Sequence, residues 1–267
     1  MVSNLSAARK VNDDPRHRGT KRALLVAHQI VDEIGRSDLD VGDKLLPEQE
    51  MLIRYGVARA TLREALRFLE LQGVIHLKPG PGGGPVVREP KADNFASTMA
   101  LLLQFVGADF RALIEVRQAI GPGMAAHAAE RATANDIELL RGSLDRLRNL
   151  DGTSSDYVEE NRRFHDLLAW ASQNPLIGFL VVALHHITNA SGIGITYSEA
   201  ERNYQLKAYD RFLSAIEGRN PELASTEMLR FMRRSDSYLE KRYPDLMSKC
   251  VRWDDAAAIV RDTRPEH

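Results

Sequence analysis

A chain of 267 residues is long for one domain and comfortable for two, and its 43% apolar content is ordinary for a globular protein with buried cores. The net charge of −1 gives no global polyelectrolyte signal for nucleic acid, the single cysteine excludes an internal disulfide, and no apolar run nears the roughly 20 residues of a membrane span. A disulfide-stapled secreted module and a helical membrane protein are thereby excluded, and without a signal-peptide apolar core near the start the expected compartment is a reducing cytoplasm.

Residues 1–18 mix Ser, Asn, Asp, Arg and His without periodicity and read as a tail. Its Arg9, Lys10, Arg16 and Arg18 either meet phosphates or stay solvated. A first domain is expected over 19–90. A helix over 20–36 is capped by Thr20 and lines up Leu24, Ala27, His28, Val31 and Ile34, with His28 a packed edge residue rather than a ligand. A short helix follows from Pro47 to Tyr55 and stops at Gly56. A second runs from Ala58 to Gln72 and stops at Gly73. Its Leu62, Ala65, Leu66 and Leu69 recur at helical spacing and face one core, while Arg59, Arg63 and Arg67 share another face at i, i+4 and i+8. Two helices across a tight glycine turn, the second opening with basic residues, make a helix-turn-helix with a recognition helix. Residues 1–90 carry 14 Lys/Arg against 12 Asp/Glu, so the case for DNA rests on the local arginine stripe.

Val74–Lys78 and Val86–Arg88 read as two short strands around the glycine-rich Pro79–Pro85. Such a loop can also cradle a nucleotide phosphate, but no GK[ST] follows and no helix opens after it. As a wing, Lys78 and Gly80 bring backbone close to a DNA groove. On the recognition helix Arg59 and Arg63 reach base edges, Thr61 meets a phosphate or a thymine methyl, and Arg67 touches backbone phosphate or pairs with Glu64 or Glu70.

From Lys91 the texture becomes helical. The expected helices are 93–105, 109–131, 134–149, 154–172, 175–190, 199–217 and 221–242, with a kink or break at Gly121-Pro122-Gly123 and Asn-Pro starts at Asn174 and Asn220. The fold class is mainly α: a winged helix-turn-helix with a small β-hairpin, then an all-α bundle over 91–248, with 249–267 a tail or frayed helix.

The stretch Gly42, Leu45, Glu48, Glu50, Tyr55-Gly56-Val57, Arg59, Thr61-Leu62-Arg63-Glu64-Ala65-Leu66-Arg67, Leu69 and Gly73 resembles the winged helix-turn-helix of GntR-type bacterial transcription regulators. Leu46-Pro47 replaces the family's Pro-Ser, and Ala58 and Ala60 stand where many members carry Ser or Thr. The resemblance gives Gln49 the position of a phosphate contact, here without charge. Leu113–Arg117, Asn161–His165 with the following Ala169–Leu176, and Ala215–Asn220 resemble the FCD effector domain of the FadR-type branch.

That resemblance implies a homodimer on a palindromic, double-stranded operator, a small-molecule effector, and in many members a divalent metal held by an Asp and a His at i, i+4 plus two later His. Here those positions read Asn161, His165, Tyr209 and Phe231. Phenylalanine cannot ligate and asparagine is a poor carboxylate substitute, so no metal cofactor is expected. The adjacent His185 and His186 cannot share one helix face and read as structural. Arg117 either holds an effector's carboxylate or phosphate or pairs with a nearby acid; Asn161, His165 and Tyr209 offer neutral hydrogen bonds, and Phe231 adds apolar wall. That composition favours an organic acid or an acyl compound, the larger and greasier preferred. Two other readings stay open: a constitutive DNA-binding regulator with a vestigial pocket, and a metal-dependent enzyme using His165 with His185 or His186, for which no nucleophile–base pair is evident.

Overall fold

The computed structural model describes residues 15–80, 82–151, 155–190 and 195–256. It divides into two compact units, Met1–Pro90 and Lys91–His267.

The first unit holds α1 (Pro15–Arg36), α2 (Glu48–Tyr55), α3 (Arg59–Leu71), β1 (Ile75–Lys78) and β2 (Gly84–Val87). Helix α1 starts inside the stretch expected to be a tail, at Pro15, a residue suited to a first helical turn. The buried stripe of α1 is Ala23, Val26, Ala27 and Ile30; of the expected line, Ala27 lies in it and Ile34 packs against the same core, while Leu24, His28 and Val31 are exposed. Pro47 and Ala58 are the N-caps of α2 and α3, and neither helix has a side-chain cap bond, the structural consequence of lacking Ser or Thr there. Gly56 closes α2 in the left-handed region at φ 59°. The hairpin pairs Ile75 with Val87 and Lys78 with Gly84, so β2 begins two residues earlier than expected because Gly84 still takes part in the ladder. Leu62, Ala65, Leu66 and Leu69 of α3 join the α1 stripe, Met51 and Ile75 in one core.

The second unit is α4 (Ala92–Val106), α5 (Phe110–Arg131), α6 (Ala134–Asn149), α7 (Ser155–Ala171), α8 (Pro175–Ala190), α9 (Glu199–Glu217), α10 (Pro221–Arg242) and the short α11 (Pro244–Met247) and α12 (Trp253–Ala256). Local signals set most ends. Thr133 and Asp136 form a capping box on α6, and Asn220 accepts from Leu223 N in front of the Pro221 start. Of the kink or break expected at Gly121-Pro122-Gly123, the break does not occur: α5 runs through Pro122. Proline removes one helix hydrogen bond there. Packing on α10 compensates, since a Cβ at Gly121 would lie 3.1 Å from Met232 and 3.4 Å from Met228. The stretch from Lys249 is not a free tail over its described part. Phe110 N donates to Lys249 O, Val251 N to Ala108 O, and Trp253 Nε1 to Ser97 Oγ at 2.9 Å. Arg9, Lys10 and the side chains of Arg16 and Arg18, expected either to meet phosphates or to stay solvated, lie outside the described residues. No helix among the described residues is long and apolar enough to cross a membrane.

Candidate functional site

The first site is the exposed face of α3. Arg59, Arg63 and Arg67 are all exposed, and none bonds or pairs with another described residue. The pairing expected of Arg67 with Glu64 or Glu70 is absent; Glu70 instead accepts from Leu77 N at 2.9 Å, fastening β1 to α3. Three guanidiniums in a row, held by a helix whose other side is core, form a rigid cationic comb that presents bidentate donors at helical intervals. Thr61 lies half-buried between them, and Gln49 on α2 is exposed.

The turn and the wing are braced from behind. Arg22 of α1 donates to Gly56 O at 2.9 Å, and Glu33 takes both Tyr55 Oη and Arg54. Burial and the Glu33 carboxylate push the Tyr55 phenol well above its ordinary value, so this link keeps its proton. Lys44 Nζ donates to Gly82 O at 3.1 Å. Lys78 and Gly80 stand exposed at the wing, Gly80 at φ 91°. Gly83 is fixed by space: a Cβ there would lie 2.2 Å from Lys78 O. Pro81 lies outside the described residues. A shallow groove of about 560 Å³ between α1 and α3 carries Arg63 and Arg67 on its rim beside Leu24, Phe68 and Leu71. It borders the cationic face and holds no convergent set of buried polar groups.

The second site is a cavity of about 70 Å³ inside the bundle. That is space on the order of five ordered waters. Its wall takes Arg117 from α5, Asn161 and His165 from α7, His185 and Thr188 from α8, Gln205 from α9, and Phe231 and Ser235 from α10. His165 Nε2 lies 3.1 Å from Tyr209 Oη, and Tyr209 donates to Asn161 Oδ1. Phe231 stacks on the other side of His165 with ring centroids 5.5 Å apart. The four positions singled out in the sequence therefore do come together. Tyr209 sits behind the wall, wholly buried, and holds His165 rather than facing the cavity.

Charge in the cavity is one-sided. Arg117 is half-buried and forms no ion pair with a described residue. Burial first, then the Arg117 charge, hold the His165 imidazole well below its ordinary pKa. Burial raises the Tyr209 phenol in the same way. Asp236, on the next turn of α10, is pushed up by burial to about 6 although Arg117 pulls the other way.

Arg162, also on the cavity wall, and His185 share a buried acid in a relay that sequence reasoning missed. Arg162 donates to Asp166 Oδ2 at 2.7 Å, and Asp166 Oδ1 meets His185 Nδ1 at 2.5 Å, with Asp166 wholly buried. The available signal was Arg162 and Asp166 at i, i+4, with the acid set in an otherwise apolar run. His186 is also buried and lies 3.7 Å from Asp93 on α4, away from His185's partners, as adjacent helix positions require. Among the described residues no group of three or more His, Cys, Asp or Glu could hold a metal ion.

Comparison with known proteins bears on both units. The profile of bacterial regulatory proteins of the gntR family matches residues 23–83, and that of the FCD domain matches residues 112–234. The chain is 30% identical over 214 residues to YcbG of Bacillus subtilis, an HTH-type transcriptional regulator described as uncharacterized, covering 79% of this chain and 88% of that one. It is 25% identical over 212 residues to the HTH-type transcriptional repressor NanR of Cronobacter sakazakii, covering 76% of this chain and 80% of that one. Among solved structures, Streptococcus agalactiae GntR shares the fold with a TM-score of 0.62 at 20% identity, covering 81% of this chain and 99% of that one. An exposed arginine comb on a braced helix-turn-helix, followed by an FCD bundle, makes this chain a member of the gntR family of DNA-binding transcription regulators, and not an enzyme.

Proposed function

We propose that the chain represses transcription as a homodimer on a palindromic operator and releases it when a small organic acid enters the cavity beside Arg117. The observation that carries the ligand half is Arg117 itself: a half-buried guanidinium on a cavity wall, without an ion partner among the described residues. A carboxylate is the group that matches such a fork. The cavity volume argues against the acyl compounds favoured from composition, because about 70 Å³ suits a compact acid and not an acyl chain. Phe231 closes the space by stacking on His165 instead of lining a longer tunnel.

The sites for DNA are Arg59, Arg63 and Thr61 for base edges, and Gln49, Arg67, Lys78 and the Gly80 backbone for phosphates. One winged module offers few contacts, so a two-fold dimer on two half-sites is the natural arrangement. A relative named as a repressor supports the sign of regulation. The protein acts in the bacterial cytoplasm, at its operator. No divalent metal takes part in this reading: Asn161 and Tyr209 spend their oxygens on each other, Phe231 offers no donor, and His165 alone is a poor site.

The test is a thermal-shift titration of the full chain with short organic acids, with divalent ions and with chelator. Stabilisation by an acid that rises with concentration and is lost in Arg117→Ala supports the reading. Stabilisation by a divalent ion at one equivalent, reversed by chelator, would overturn its metal-free part.

A further inference from the structure

We infer that His165 Nδ1 is a hydrogen-bond acceptor for the bound effector, so that the cavity selects a short acid carrying a hydroxyl over the unsubstituted acid and the keto acid. The inference rests on the effector reading above and adds what the ligand must bring besides its carboxylate.

The argument follows one proton. A tyrosine hydroxyl has a single hydrogen to give. Tyr209 gives it to Asn161 Oδ1. The same hydroxyl lies 3.1 Å from His165 Nε2, so in that contact it must accept, and the imidazole hydrogen sits on Nε2. A neutral imidazole with its hydrogen on Nε2 carries a lone pair on Nδ1. Burial and the neighbouring Arg117 charge keep the ring neutral. Phe164 stacks on the Tyr209 ring at 4.5 Å between centroids.

His165 Nδ1 is buried and has no hydrogen-bond partner, and His165 is a wall residue of the cavity. Its Nε2 is turned to Tyr209, which lies behind the wall, and Nδ1 is the ring nitrogen left without a partner. A carboxylate oxygen cannot satisfy a lone pair, and Arg117 is the group built to take it. A hydroxyl on the same small molecule can donate to Nδ1 while the carboxylate stays on the guanidinium. Tyr209 thus fixes the tautomer of this ring. The acceptor role is the consequence.

The test is isothermal titration of the full-length protein with propanoate, 2-hydroxypropanoate, 3-hydroxypropanoate and 2-oxopropanoate, in wild type, His165→Phe and Tyr209→Phe. One of the two hydroxy acids should bind roughly tenfold to a hundredfold more tightly than propanoate and 2-oxopropanoate, the range for matching one otherwise unsatisfied buried group. His165→Phe should keep weak binding of all four and lose the preference. If that variant does not fold, Tyr209→Phe should narrow the preference, because its ring is free to move the hydrogen to Nδ1. Equal binding of propanoate and both hydroxy acids would overturn the inference while leaving the effector reading in place. A preference for 2-oxopropanoate would also overturn it, since Nδ1 would then be the donor. Binding of none of the four would overturn the small-acid reading and this inference with it.

Discussion

Tyr209→Phe removes one oxygen from the middle of the bundle, and the structure says what that should cost. The hydroxyl makes two hydrogen bonds, one with His165 Nε2 and one to Asn161 Oδ1. Ring packing against Phe164, Phe212 and Phe231 is unchanged by the substitution, so no cavity term enters. Asn161 lines the cavity and can turn to water, and its share is about 1 kcal/mol. His165 is 3% exposed and keeps an unmatched N–H, which adds about 1–2 kcal/mol. The sum, about 2–3 kcal/mol, corresponds to a fall of roughly 4–12 °C in the melting of a unit this size. Differential scanning calorimetry on the full chain, with urea denaturation beside it, reads the change. A shift under 1 °C would mean that the Asn161–Tyr209–His165 relay carries no stability and that the reasoning about its fixed protons is wrong.

Three further predictions concern the other features. Arg63→Ala leaves an exposed, unpaired position and should not alter melting, yet should weaken a selected operator by about 1–3 kcal/mol per half-site with relaxed preference at one base pair, measured by fluorescence anisotropy. Gly83→Ala forces a Cβ against Lys78 O, so the wing must open; DNA affinity should fall several-fold while the thermal transition of the bundle stays in place. Asp236 has its carboxyl raised from 3.8 to about 6, so its neutral form is the one the fold prefers. The stabilisation is complete below the unfolded value near 4 and is lost as pH rises through about 6. The limit is about 3 kcal/mol, screened to about 1 kcal/mol by partial exposure. Asp236→Asn should therefore stabilise the chain by about that amount at pH 8 and not at pH 4, and an equal effect at both pH values would refute the cause.

How much of this was legible in the sequence depends on whether the signal was local. Helix ends announced by Asn220-Pro221 or by Gly56 came out where expected, because a cap acts over three or four residues. The recognition helix was readable for the same reason: Leu62, Ala65, Leu66 and Leu69 leave only one face for its arginines. What failed was set by distant partners. Pro122 stays helical because Met228 and Met232 pack against Gly121 from α10, more than a hundred residues on in the chain. In α1, Ala27 and Ile34 meet the core as expected, but Leu24 and Val31 look as apolar as Ala23 and Ile30 until α3 is docked. The closing strand-like contact of Lys249 and Val251 with the Ala108–Phe110 turn has no local signature at all. In the cavity, the residue types were readable but the size was not: nothing in Phe231 as a letter says that it stacks on His165. The Arg162–Asp166–His185 relay needed both its i, i+4 pair and a third partner from α8 to become visible.

The most direct test of the account couples the two sites in one titration. An operator is first selected from random duplex DNA, and its affinity is then measured by anisotropy at fixed salt with and without a saturating short hydroxy acid, for wild type and Arg117→Ala. The account predicts that the acid weakens the wild-type complex by roughly 5–150-fold, the usual range of such coupling, and leaves Arg117→Ala on DNA at the wild-type affinity. Affinity unchanged by any acid of the series, or weakened equally in Arg117→Ala, would contradict it.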